Sequence, residues 1–118
     1  MKTFLVLYHS GPAPDGLSVS EMMARASPEQ MAAGMGAWRA WHERSSGAIA
    51  DLGAPLDHST MIGAAGGAPA PTKTSITGYT LLKVESMEIA ASLMRDHPHF
   101  QAPGASIQIL EAIPIPGM

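Results

Sequence analysis

Residues 78–111 read GYTLLKVESMEIAASLMRDHPHFQAPGASIQILE. Taken with the residues just before it, the opening alternates as a strand over Ser75–Val84. Ile76, Thr80, Leu82 and Val84 take one side, and Thr77, Tyr79, Leu81 and Lys83 the other. A helix is predicted to follow at once. Ser86 is a good N-cap, Glu88 favours the positive end, and Ile89, Ala90, Leu93 and Met94 make an apolar stripe. His97 continues that stripe, and Pro98 ends the helix. Beyond His97-Pro98-His99-Phe100, the run Ser106–Glu111 reads as a second strand, and Pro114 and Pro116 keep the tail from continuing as a central strand.

Working back towards the N-terminus, Lys2–His9 reads as another strand. Phe4, Val6 and Tyr8 point one way and Leu5, Leu7 and His9 the other. Both sets are mostly apolar, so both faces of the sheet are expected to be covered. Helices can cover one. The chain is too short to supply a second layer for the other, but the sheet of a second copy would. Ser10–Gly16 (SGPAPDG) is loop by its turn residues, and SVSEMMARA after it is weakly helical. A longer helix starts at Pro28, with Ser27 as N-cap, Gln30 completing a capping box and Gly47 as its stop. Its apolar face is predicted to hold Met31, Gly34, Met35, Trp38, Trp41, His42 and Ser45. Residues 48–63 should hold a strand in two pieces broken by Gly53 and Pro55, and AAGGAPAPT (64–72) a mobile connection. The order β-α-β-β-α-β is ferredoxin-like, so the fold class is α+β with a four-stranded antiparallel sheet.

The 118 residues argue for one domain over 1–118, with 10–26 as an insertion, 64–73 as a flexible loop and 112–118 as a tail. There is no cysteine, which excludes thiol nucleophiles, zinc–thiolate sites and iron–sulfur clusters. A net charge of −3 with only 7 Lys and Arg argues against nucleic acid as a partner. The apolar start Phe4–Tyr8 is too short for a signal-peptide core or a membrane span, so a cytoplasmic protein is expected. Charged residues make up 14% of the chain against the usual quarter, which favours a surface partly hidden in an oligomer.

Several stretches in this order resemble the YCII-related family of small bacterial proteins. They are KTFLVLYH at 2–9, SPEQM at 27–31 with the Trp38–Trp41 pair, GAPL at 53–56, and TGYTLLKVES, HPHF and GASIQILE in the C-terminal half. The resemblance covers about the whole chain outside 10–26. It implies a ferredoxin-like subunit whose sheet packs on a second copy as a dimeric α+β barrel. The wider superfamily includes isomerases, dehalogenating enzymes and monooxygenases acting on small aromatic or lactone substrates, and many YCII-like members have no assigned activity. Several members carry a His in the first half of the first long helix and an Asp before a Pro after the second. Here Met31–Gly36 lacks a His and His97 precedes Pro98, so that pair is not carried over.

Histidine is the side chain best suited to proton transfer near neutral pH. His97, His99 and His42 are therefore the candidate acid/base residues, and Tyr8, His9, Trp38 and Tyr79 the candidate ligand-binding ones. Each has a plainer reading: His97 as core filler bonded to the backbone, His42 as a core histidine, Trp38 as packing, and Tyr8, His9 and Tyr79 as strand packing. Asp57 and His58 are adjacent, and on a strand such neighbours point apart. No three-ligand metal pattern is fixed, and there is no Walker loop, Rossmann fingerprint or nucleophile elbow, so no metal or cofactor is expected. Two functions stay open. One is a small-molecule site between sheet and helices with histidine acid/base chemistry on a small aromatic or cyclic substrate. The other is a non-catalytic homodimeric module that binds a metabolite or supports a partner.

Overall fold

In the computed structural model, residues 1–12 and 16–117 are described; Ala13, Pro14 and Asp15 of the expected loop, and Met118 of the expected tail, lie outside them. In chain order the elements are β1 (Lys2–His9), α1 (Val19–Arg25), α2 (Pro28–Ser45), β2 (Ile49–Pro55), β3 (Ser59–Met61), β4 (Ala70–Thr72), β5 (Ile76–Val84), α3 (Met87–Met94) and β6 (Ser106–Ala112). The main sheet has the order β2-β5-β1-β6 and every neighbouring pair is antiparallel. This is an α+β fold with a four-stranded antiparallel sheet and three helices, compatible with the ferredoxin-like pattern.

The alternation in β1 decides which face is the core. Phe4, Val6 and Tyr8 are buried together with Leu82 and Val84 of β5, Trp41 of α2, and Ala90 and Met94 of α3. Pairing places Leu5 beside Leu81 and Leu110, and Leu7 beside Tyr79 and Gln108, on the opposite face. That face is only half-buried, with Leu110 40% exposed. The molecule is accordingly a slab of 45 × 43 × 20 Å, one sheet deep and one helix layer deep.

Two glycines are needed where they stand. Gly53 has φ of 82° in an irregular part of β2, and a Cβ there would run into the Tyr79 carbonyl. At Gly78 a Cβ would lie 3.2 Å from the Tyr8 ring, so its absence makes room for that ring on the inner face.

The helix starts follow the sequence. Ser27 accepts from the Gln30 amide and Gln30 bonds back to Ser27, while Ser86 accepts from the Ile89 amide. The apolar stripes need correction. Met35 is 54% exposed and Gly34 is exposed, because only the part of α2 from Trp38 onward meets the sheet. Ile89 at the start of α3 is 42% exposed, and burial begins at Ala90. The second strand also differs. The strand pairing is irregular around Gly53 and β2 ends at Pro55, as expected, but after Leu56–His58 the second piece, β3, leaves the main sheet to pair with β4, which forms inside the stretch read as a loop. Helix α1 buries none of its residues. It is tied down by Asp57, whose carboxylate accepts from the Ser20 amide and hydroxyl; these bonds hold the Asp57 carboxyl below its usual pKa.

Candidate functional site

Four of the seven candidate residues meet under the end of α2. The His97 ring is almost fully buried, 4.3 Å from Trp38, 4.5 Å from Trp41 and 5.0 Å from Tyr8, measured between ring centres. Both tryptophans meet it in a T-shaped arrangement, which the aromatic quadrupole favours. Tyr8 also meets His99, with centres 5.1 Å apart. Helix α3 ends at Met94, short of the stop expected at Pro98; the chain then turns through Arg95 and Asp96, His97 is extended, and Pro98 opens a single 3₁₀ turn over Pro98–Gln101.

The hydrogen bonds assign every proton in this cluster. The amide of His99 can only donate, and it lies 2.9 Å from His97 Nδ1, so Nδ1 carries the lone pair and Nε2 the proton. Nε2 donates to the Tyr8 hydroxyl through a long 3.4 Å contact. The Leu52 carbonyl can only accept, and it takes the Thr80 hydroxyl proton at 2.8 Å. Thr80 Oγ1 is left to accept from Tyr8 at 2.8 Å. A single directed chain therefore runs from the backbone after α3 through His97, Tyr8 and Thr80 to the backbone of β2. His99 is bound as well, with Nε2 donating to the His9 carbonyl at 2.8 Å.

Electrostatics keep the chain neutral. Burial, aided by the neighbouring His99 and Arg44, pushes the His97 imidazole down to about 4. Burial also pushes the Tyr8 phenol up to about 12, against the opposing pull of the Thr80 hydrogen bond. At neutral pH the basic lone pair of His97 is occupied by an amide and its charged form is disfavoured. The arrangement is well built to join α3 to the sheet and poorly built to take a proton from a substrate.

The remaining candidates lie apart. Tyr79 and His9 stand on the outer face of the sheet. There the His9 ring bonds Ser75 Oγ and Gln108 Oε1, each at 2.7 Å, which occupies both ring nitrogens. His42 is half-buried, and among the described residues it takes no part in the ring contacts or hydrogen bonds of the His97 cluster. Asp57 and His58 do approach, at 3.5 Å, contrary to the strand-based expectation. His58 sits in a turn with φ of 50°, not in a strand. Its side chain is 83% exposed, so the pair is weak.

A cleft of about 630 Å³ lies elsewhere, between α1, the Leu56–Ser59 connection and the lead into β5, with Ser10, Leu56, Thr72, Ser75 and Thr77 in its lining. Of the candidate residues, neither the His97 cluster nor His42 lines it. Among the described residues no group of three His, Asp or Glu side chains is placed to hold a metal, and no helix is long and apolar enough to cross a membrane.

Sequence reasoning missed Thr80, Ser75 and Gln108 as partners. A signal for Thr80 was present: it is the one polar residue among Ile76, Leu82 and Val84 on the inner side of β5, and a buried hydroxyl needs a partner. Nothing in the sequence marked Ser75 or Gln108. Compared with known proteins, the chain matches no family model and no curated protein.

Proposed function

We propose that this chain is one half of a homodimer, closed sheet to sheet as a dimeric α+β barrel in the manner of YCII-related proteins. In this reading it acts as a non-catalytic binding or accessory module, with His97 and His99 as scaffold. Its ligand-holding surface is the cleft beside Ser10, Ser75 and Thr77. The observation that carries the dimer is the outer face of the sheet, where the half-buried Leu5, Leu7, Tyr79 and Leu81 lie side by side with Leu110, itself 40% exposed.

Size arguments agree. A folded monomer of 12.3 kDa has an accessible surface of about 6,100 Å² by the usual scaling, and this chain exposes 8047 Å². Its radius of gyration is 16.1 Å, against about 13.5 Å for a globular domain of 118 residues. The excess surface, roughly 1,900 Å² per chain, is of the order that an obligate dimer buries on each partner. The module reading is supported by the histidines. His97 Nδ1 and His99 Nε2 are both engaged with backbone groups, which leaves no imidazole of that cluster aimed into a cavity.

The test is a charge placed at the centre of the outer face. Leu81→Glu buries an unpaired carboxylate in the dimer and touches no core residue of the single chain. It is expected to weaken association by at least 100-fold while the far-ultraviolet circular dichroism stays as in the parent. A Leu81→Glu chain that associates as tightly as the parent would sink the sheet-to-sheet reading.

A further inference from the structure

The β3–β4 hairpin has little of its own to hold it in place. Among the described residues its two strands pair only with each other, over three residue pairs, with the Ser59 and Thr72 hydroxyls 2.6 Å apart at the base. None of the six strand residues is buried. An isolated two-stranded hairpin is marginally stable at best in water and needs a further strand or a packed face. Three-residue strands and Pro71 guard its edges against adding a further strand, but the 14 residues from Ser59 to Thr72 include no Asp, Glu, Lys or Arg, so its side chains carry no charge that would keep an apolar surface away. Met61 and Ile62 are each 61% exposed near its turn.

We infer that this hairpin is an arm that packs on a second copy of the chain, with Met61 and Ile62 as its apolar contacts. The second copy is favoured over an unrelated partner for two reasons. The arm springs from the ends of β2 and β5, and β5 carries Tyr79 and Leu81 of the outer face, so the arm leaves the sheet next to a strand already argued to pair. The excess exposed area also exceeds what a small patch would need and is of the size a whole dimer interface takes up. A two-fold interface is self-complementary, so each copy then receives the arm of the other. This inference rests on the homodimer proposed above and deepens it: it says which segment crosses between the copies.

The chain has no cysteine, so a single one can be introduced and labelled without background. Ile62→Cys is labelled with benzophenone maleimide, its mass in solution is measured by light scattering, and it is irradiated. Glu88→Cys, exposed on α3, serves as the comparison. The expected result is a mass of two chains and a covalent dimer from position 62, with little from position 88. A mass of two chains with no cross-link from position 62 overturns the arm and leaves the dimer standing. A mass of one chain overturns both. Independently, the double variant Met61→Asp/Ile62→Asp is expected to weaken association at least tenfold, and unchanged association would overturn the arm.

Discussion

Trp41→Ala is expected to cost about 3–5 kcal/mol, measured by urea unfolding, which is a large part of the 5–15 kcal/mol that holds a typical small domain together. Trp41 has no exposed surface and fills the space between α2, α3 and the His97 ring. Its indole nitrogen donates to the Leu93 carbonyl at 3.1 Å. Truncation therefore opens a cavity the size of an indole and also removes a hydrogen bond that ties α2 to α3. Trp38→Ala should cost less, since Trp38 is only half-buried and bounds the cluster on its outer side. If the Trp41 variant unfolds at the same urea concentration as the parent, the core has been assigned to the wrong residues.

Acid should loosen the fold through His97. In the unfolded chain an imidazole titrates near 6.5, and in the folded chain burial holds His97 at about 4. The unfolded state therefore takes up its proton first. Stability from this group is complete above about pH 6.5, is lost as the pH falls towards 4, and changes no further below that. The two values differ enough for about 3 kcal/mol over this window. His97→Asn removes the titrating ring, while its side-chain oxygen can still accept from the His99 amide. Its unfolding free energy should start lower at pH 7 and fall less steeply between pH 6.5 and 4 than that of the parent. Equal slopes in parent and variant would show that the buried ring is not the source of the acid sensitivity.

How much of this was legible in the sequence depended on what kind of contact was involved. Local signals read well. Ser27 with Gln30 and Ser86 before Met87 fix helix starts through bonds within one turn. The two-residue alternation of Lys2–His9 and of Ile76–Val84 sorts their side chains by face. His97 is buried, as its place after the α3 stripe suggested, but α3 ends at Met94 and not at Pro98, and His97 itself is extended backbone.

Long-range choices did not read. Helical spacing puts Met35 and Ile89 in line with Trp41 and Met94, but it cannot say how far each helix overlaps the sheet, and both lie beyond that overlap. The stretch 64–72 is rich in Gly, Ala and Pro, so the weak strand preference of Ala70–Thr72 was hidden, and the pairing of Ser59 with Thr72 depends on a partner 13 residues away. The candidate cluster was half visible. Tyr8, Trp38, His97 and His99 were named as separate candidates from the sequence. That they touch, and that Thr80 and the Leu52 carbonyl fix the direction of every proton between them, follows only from the register of β1 on β5 and the bulged path of β2.

A second copy is expected to cover the outer sheet face. Sedimentation equilibrium of the unmodified chain at micromolar concentration tests this without any variant. A mass of twice 12.3 kDa is expected. A mass of 12.3 kDa at every concentration would contradict it and would leave Leu5, Leu7, Leu81 and Leu110 facing water.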